Sequence, residues 1–278
     1  MKIAKAHGLG NDFVLVAEGD APADPARWAR RMCDRHVGVG ADGVLLYARE
    51  RHGVRMRLLN CDGGEVEISA NGMRCLAAYM VSRHGVPPHH VVVTGAGPRE
   101  VWVEPLEAAR FRVATDLGAP ILDSAEIPMA LDQPRSPVVD HRLVAAGRPV
   151  RVTVTSLGNP HCAVFSDRPV DDALLTTLGP ALERHAAFPR RTNVEFVTVE
   201  SRRELRVRFW ERGVGYTRAS GTGAASAAVA AILKGVTDRQ VTVTCDGGAL
   251  LVEWPEGSSV RQVGEVEILF EGEWLVEA

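Results

Sequence analysis

The sequence predicts an α+β fold of two pseudo-symmetric halves, each a curled, mostly antiparallel sheet around a central helix. Three observations carry that expectation. Short apolar or alternating β-type segments greatly outnumber helical windows, the mark of an α+β chain. At 278 residues the chain can bury two cores of ordinary size. Two stretches 151 residues apart also echo each other, "SANGMRCLAAYM" from Ser69 and "SGTGAASAAVAA" from Ser220. Each opens on serine, places a glycine three residues on and runs into an alanine-rich apolar segment.

Strand-like segments recur in order at "DFVLVAE", "GVLLYA", "VRMRLLN", "HVVVTG", "REVWVEP", "RFRVATDL", "RPVRVTVTSL", "CAVF", "NVEFVTV", "LRVRFW", "QVTVTC", "ALLVEW" and "GEVEILFEGEW". Helical windows lie at 25–35, 71–84, 173–185 and 221–234. The second and fourth carry apolar or small residues on most faces, so each is expected to be buried and wrapped by its own sheet. Gly- and Pro-rich residues 118–137 mark the crossover. The expected halves are 1–116 and 117–264, with a C-terminal strand at about 265–278 returning to the first half.

Composition excludes several classes of function. Net charge is −3 with acids and bases mixed, so no basic stripe for nucleic acid is present. The N-terminus has no signal-peptide core, and the longest low-polarity run, 224–233, is too short to span a bilayer. A cytoplasmic protein with no membrane partner is expected. Five cysteines without CxxC spacing argue against a disulfide framework and against a structural metal site. Only Lys2, Lys5 and Lys234 are lysines, at the chain start or a helix end, which disfavours a pyridoxal phosphate enzyme.

The paired entrances suggest chemistry. Ser69 and Ser220 are natural N-caps, and Gly72, Gly221 and Gly223 let backbone approach a ligand closely. Helix N-termini present free N–H donors and positive potential, so two of them can hold a carboxylate and stabilise charge developing beside it. Asn11, Asn60, Asn159 and Asn193 stand in or beside glycine turns or strand ends, as turn formers or as ligands. Glu211 beside Arg212 offers one group for an ammonium and one for a carboxylate, the two charges of an amino acid. His36 and His161 each read equally as structural groups or as site residues. The "GVGADG" run leads into a strand and is no dinucleotide fingerprint.

Six ordered blocks, "KAHGLGNDFVLV", "DRHVGVGADG", "NCDGGEVEISANGMRC", "GNPHCAVF", "RRTNVEF" and "WERGVGYTRASGTGA", resemble the diaminopimelate epimerase family across nearly the whole chain. The resemblance implies an amino-acid substrate and a two-base inversion without cofactor or metal, in which one group removes the α-proton and another returns one on the opposite face. It implies that Asn11, Asn60, Asn159, Asn193, Glu211 and Arg212 bind substrate, with Asn71, Gly72, Gly221 and Thr222 holding the reacting carboxylate. Asn60, Asn193, Glu211 and Arg212 are assigned to the distal head. A homodimer is expected by resemblance alone.

The departures concern the acid/base pair. The family carries cysteine where this chain has Ser69 and Ser220, glycine where it has Ala70, and glutamate where it has Tyr216. A thiol has a reference pKa of about 8.5, while an alcohol ionises far higher, nearer water's roughly 15.7. Three readings stand: an engineered double Cys-to-Ser form, which Ala70 and Tyr216 speak against; a natural divergent enzyme in which neighbours tune the serines or Cys61 or Tyr216 acts; and an inactive relative that binds an amino acid without epimerising it.

Overall fold

The structure is a computed structural model and describes residues 1–51 and 53–275. The last three residues of the expected C-terminal strand lie outside the described residues. The chain divides into two compact units, residues 1–116 with the chain from Val263, and residues 117–262.

The first unit contains β1 (Lys2–Gly8), β2 (Asn11–Ala17), α1 (Pro25–Cys33), β3 (Gly43–Glu50), β4 (Gly53–Asn60), β5 (Glu65–Val66), α2 (Ala70–His84), β6 (His89–Thr94), β7 (Gly97–Glu107) and β8 (Arg110–Asp116). A C-terminal strand, β17 (Arg261–Glu273), pairs with both β1 and β8. The ring β17–β1–β2–β3–β4–β6–β7–β8 is thereby closed, which removes its edges. Only β2–β3 and β4–β6 are shown parallel, and each needs a helical crossover, supplied by α1 and α2. Helix α1 lies against β3 and β4 through Trp28, Ala29 and Met32. Helix α2 touches six of the strands and has residues 70–80 all buried, so it fills the ring. It stops at Gly85, whose φ of 63° is the left-handed cap glycine tolerates.

The second unit repeats this plan with β9 (Val138–Ala145), β10 (Arg148–Ser156), β11 (Pro160–Phe165), α3 (Asp172–Glu183), β12 (Asn193–Ser201), β13 (Glu204–Glu211), β14 (Gly215–Thr217), α4 (Gly221–Leu233), β15 (Gln240–Cys245) and β16 (Gly248–Glu253). Its strand order is β9–β10–β11–β12–β13–β15–β16, again with two parallel pairs, β11–β12 and β13–β15. The antiparallel pairs β10–β11 and β12–β13 match β1–β2 and β3–β4, and the short β14 on β13 matches β5 on β4. Helix α4 takes the place of α2, with residues 221–231 buried against β10, β11, β12, β13, β15 and β16.

The expected strands and helices are all present, the helices within two residues at each end. Four strands have no counterpart in the sequence reading. β5 and β14 are too short to show a period. β9, "VVDHRLVA", has a polar centre that masks its alternation. β1 carries a lysine, Lys5, on a buried position, 5% exposed. Its ammonium is held by Asp12 at 2.6 Å and by the Gly40 carbonyl. Asp12 also accepts from Arg35 at 2.8 Å. Burial pushes the Asp12 carboxyl up, but Arg35 and Lys5 outweigh it and hold the pKa at about 2.

This pair carries a stability prediction. Asp12→Asn leaves the Lys5 ammonium buried without its counter-charge and should cost about 3 kcal/mol in urea unfolding. Because the folded pKa of Asp12 is depressed, its contribution is present above the ordinary 3.8 and is lost as pH falls toward about 2. The wild type should therefore lose more stability than Asp12→Asn between pH 4 and pH 2, a window set by those two values.

Candidate active site

In the first unit the site residues are assembled by one hairpin and one helix entrance. The β1–β2 turn uses Leu9 and Gly10 with φ of 57° and 81°, a two-residue turn that sets Gly8 opposite Asn11. The Asn11 amide nitrogen donates to Asp42 at 2.7 Å, so its oxygen is free to accept from the Asn71 amide at 3.1 Å. Asn71 in turn accepts from the buried Arg74 guanidinium. Ser69, half-buried, is the N-cap of α2 and accepts from the Gly72 N–H at 3.1 Å. A Cβ on Gly72 would sit 3.1 Å from the end of the Leu45 side chain, a tight contact that Leu45 would have to yield to. Asn60 ends β4 opposite Gly43 and shares no hydrogen bond with Asn11 or Asn71 among the described residues.

The second unit gathers more polar groups around its entrance. Ser220, 5% exposed, caps α4 by accepting from the Gly223 N–H at 3.3 Å. A Cβ on Gly223 would lie 2.9 Å from the Ser220 hydroxyl and 3.0 Å from the Phe209 ring, so a larger residue there would force one of them to shift. The Ser220 hydroxyl also donates to Glu211 Oε2 at 3.1 Å, and Thr217 donates to Glu211 Oε1 at 2.5 Å. Burial pushes the Glu211 carboxyl up, and the two hydroxyls offset part of that rise. Glu211 is thus tied to the helix entrance through Ser220 and Thr217.

Beside this entrance β11 and β12 run parallel with His161 opposite Asn193. The His161 ring places Nδ1 2.6 Å from Glu195 and Nε2 2.9 Å from the Asn159 oxygen, and the Asn159 amide reaches Thr222 at 3.5 Å. Asn193 donates to the Pro160 carbonyl at 3.0 Å and accepts from the Arg212 N–H at 2.9 Å. Gly221 gives its carbonyl to Gln262 at 2.7 Å. Sequence reasoning missed Asp42, Glu195 and Thr217. Glu195 is two residues after Asn193 and so on the same strand face, a signal that period-two reading could have used.

The alternative acid/base candidates are placed elsewhere. Tyr216 donates to Asp246 at 2.9 Å with the Arg208 guanidinium 5.3 Å from its ring centroid. Cys61 is exposed in the turn after β4. Cys75 is buried in the core, and that burial pushes its thiol up to about 12. His36 is exposed in the loop after α1. Among the described residues no three His, Cys, Asp or Glu side chains converge as a metal site requires. No helix there is long and apolar enough to cross a membrane.

The arrangement is two helix entrances with matching serine caps, one of them hydrogen-bonded to a buried carboxylate. Solved structures with this fold include a predicted epimerase from Pseudomonas aeruginosa, at TM-score 0.71 and 17% identity over 99% of both chains. Another is a hydroxyproline epimerase from Agrobacterium vitis, at TM-score 0.70 and 13% identity, covering 98% of this chain and 90% of the other. At those identities they define the fold. The sequence pattern described as Diaminopimelate epimerase matches residues 3–122 and 153–269. The diaminopimelate epimerase of Desulforudis audaxviator is 48% identical over 99% of each chain, and that of Pelotomaculum thermopropionicum 46% over 99% of each. The chain belongs to the diaminopimelate epimerase family.

The two caps should differ in cost. Ser69→Ala removes one N-cap bond and should destabilise by about 1 kcal/mol in thermal unfolding. Ser220→Ala also takes a donor from the buried Glu211 and should cost about 2 kcal/mol. The Glu211 carboxyl, followed by its carbon-13 shift, should titrate higher still in Ser220→Ala, because a donor that favours its charged form is gone.

Proposed function

We propose that this protein is a cofactor-independent amino-acid epimerase acting on diaminopimelate, LL to meso, or on a related diamino acid. The proposal includes a cytoplasmic location and a homodimer, for which family resemblance is the support. Ser69 serves one face of the α-carbon and Ser220 the other. Asn71, Gly72, Gly221 and Thr222 hold the reacting carboxylate at the helix entrances, where backbone donors stabilise the charge that develops as the proton leaves. Asn11 and Asn159 line the reacting head, and Asn60, Asn193 and Arg212 hold the second.

The observation that carries the chemistry is the Ser220–Glu211 hydrogen bond of 3.1 Å. A lone alcohol would have to become an alkoxide before taking an α-proton, at about 1.4 kcal/mol for each pKa unit. With Glu211 as acceptor, the C–H bond breaks, its electron pair stays on carbon, and the proton passes to the Ser220 oxygen as the serine proton moves to Glu211. No free alkoxide forms. Among the described residues Ser69 has no such carboxylate: its hydroxyl accepts from the Gly72 N–H. Proton removal on the Ser220 face is therefore easier than on the Ser69 face.

The test is α-hydrogen exchange in deuterated buffer, followed by NMR with LL- and meso-diaminopimelate. Exchange at the stereocentre presented to Ser220 should outpace inversion, and Glu211→Gln should abolish it. Restoring cysteine at both serines should bring inversion level with exchange. Tight binding without exchange of either stereoisomer would overturn the epimerase reading in favour of a binding protein. Alanine binding as well as diaminopimelate would overturn the diamino acid assignment.

A further inference from the structure

A buried carboxylate outside the proton-transfer chemistry sits directly behind the residues assigned to the second substrate head. Glu183 is the last residue of α3 and only 3% of its side chain is exposed. Its Oε1 accepts from the Gly213 N–H at 3.0 Å, and its Oε2 from the Trp210 indole at 2.9 Å. Arg191 lies 3.6 Å from Oε1. The Glu183 carbonyl accepts from the Thr192 N–H at 3.2 Å, immediately before Asn193. Glu183 thus grips both chain segments that meet in the hydrogen bond from Arg212 N–H to Asn193.

The local packing explains why this carboxylate sits where it does. Gly179 of α3 lies flat on Trp210, since a Cβ there would come within 2.7 Å of the indole ring. The helix therefore approaches β13 closely enough for its terminal residue to reach over the indole to the turn beyond. That turn, with Gly213 at φ 78°, carries Glu211 and Arg212. A turn of glycine and exposed Val214 has little packing of its own, so charge-assisted hydrogen bonds from one buried acid set its shape.

Resting on the reading that Asn193 and Arg212 hold the second head of the substrate, we propose that Glu183 is a positioning residue that sets selectivity for a diamino acid over a simple amino acid. It touches no reacting atom. It fixes the Arg212 and Asn193 backbones at one spacing, so that the second head meets a preformed cradle.

Glu183→Gln keeps the side-chain volume but turns one acceptor oxygen into an N–H group, which then faces a donor from either Trp210 or Gly213. Calorimetric titration of wild type and variant with meso-diaminopimelate and with alanine reads the effect. Diaminopimelate affinity should fall about tenfold, the consequence of one lost charge-assisted bond, while alanine affinity stays level. Amide deuterium exchange at residues 212 and 213 should speed up with exchange in β12 unchanged. Trp210→Phe removes one donor and leaves the Gly213 bond, so it should show a smaller loss in the same direction and serves if Glu183→Gln does not fold. Unchanged diaminopimelate affinity in a folded variant, or equal loss of both ligands, would overturn the positioning role. Wild-type protein that binds neither ligand would overturn the functional reading itself and this role with it.

Discussion

Burying the amino end of a helix is the constraint on which the rest of this structure depends. The first turn of any helix leaves backbone N–H groups without intrahelical partners, and α2 and α4 are sunk in sheets with those turns buried. Ser69 and Ser220 each satisfy one donor. Each serine packs against a glycine three residues on, and a Cβ on Gly223 would lie 2.9 Å from the Ser220 hydroxyl. The curled sheets follow from the same demand, because a helix apolar on nearly every face can be covered only by strands arranged around it. Closure of the first unit by β17 completes that cover. The remaining donors are what make each entrance suited to a carboxylate.

The two entrances share a plan and differ in their electrostatics. Around Ser69 the charges are held at one remove: Lys5, Asp12, Arg35 and Asp42 neutralise one another and present the site with the neutral amides of Asn11 and Asn71. Around Ser220 a carboxylate, Glu211, meets the serine hydroxyl itself. Thiols at both positions would make that asymmetry a matter of tuning, since a thiol reaches its anion near neutral pH. With alcohols the difference lies in whether the hydroxyl has a carboxylate acceptor, as Ser220 has in Glu211.

Much of the fold was legible because it rests on periodicity. Helices α1 and α3 and most strands announce themselves by 3.6 or two-residue repeats, and α2 and α4 by long runs of apolar and small residues. The exceptions are instructive: β1 and β9 hide because Lys5 and the Asp140–Arg142 segment interrupt their apolar pattern, and Lys5 is tolerated inside only because Asp12 lies across the hairpin from it. Most site residues proposed from sequence share hydrogen bonds, Asn11 with Asn71, Ser69 with Gly72, Ser220 with Glu211, Asn159 with Thr222 and Asn193 with Arg212, while Asn60 and Gly221 stand outside these pairs. Glu183 was not legible, since an acid at a helix end looks like ordinary surface until the fold buries it; half-exposed Asp42 shows its part only through its bond from Asn11, and Glu195 shows only in its period-two phase with Asn193.

The sequence by itself determined the α+β class, the repeat of a serine-capped buried helix, and the set of polar side chains gathered near each copy, because these depend on local propensity and spacing. Only the tertiary structure decided what each polar group is bonded to. Whether Glu211 serves a distant ammonium or the nearby serine, and whether Glu183 is solvated or clamps a turn, depends on strand register and on how closely α3 approaches β13. Those are distances between segments far apart in the chain, and no residue pattern along one segment encodes them.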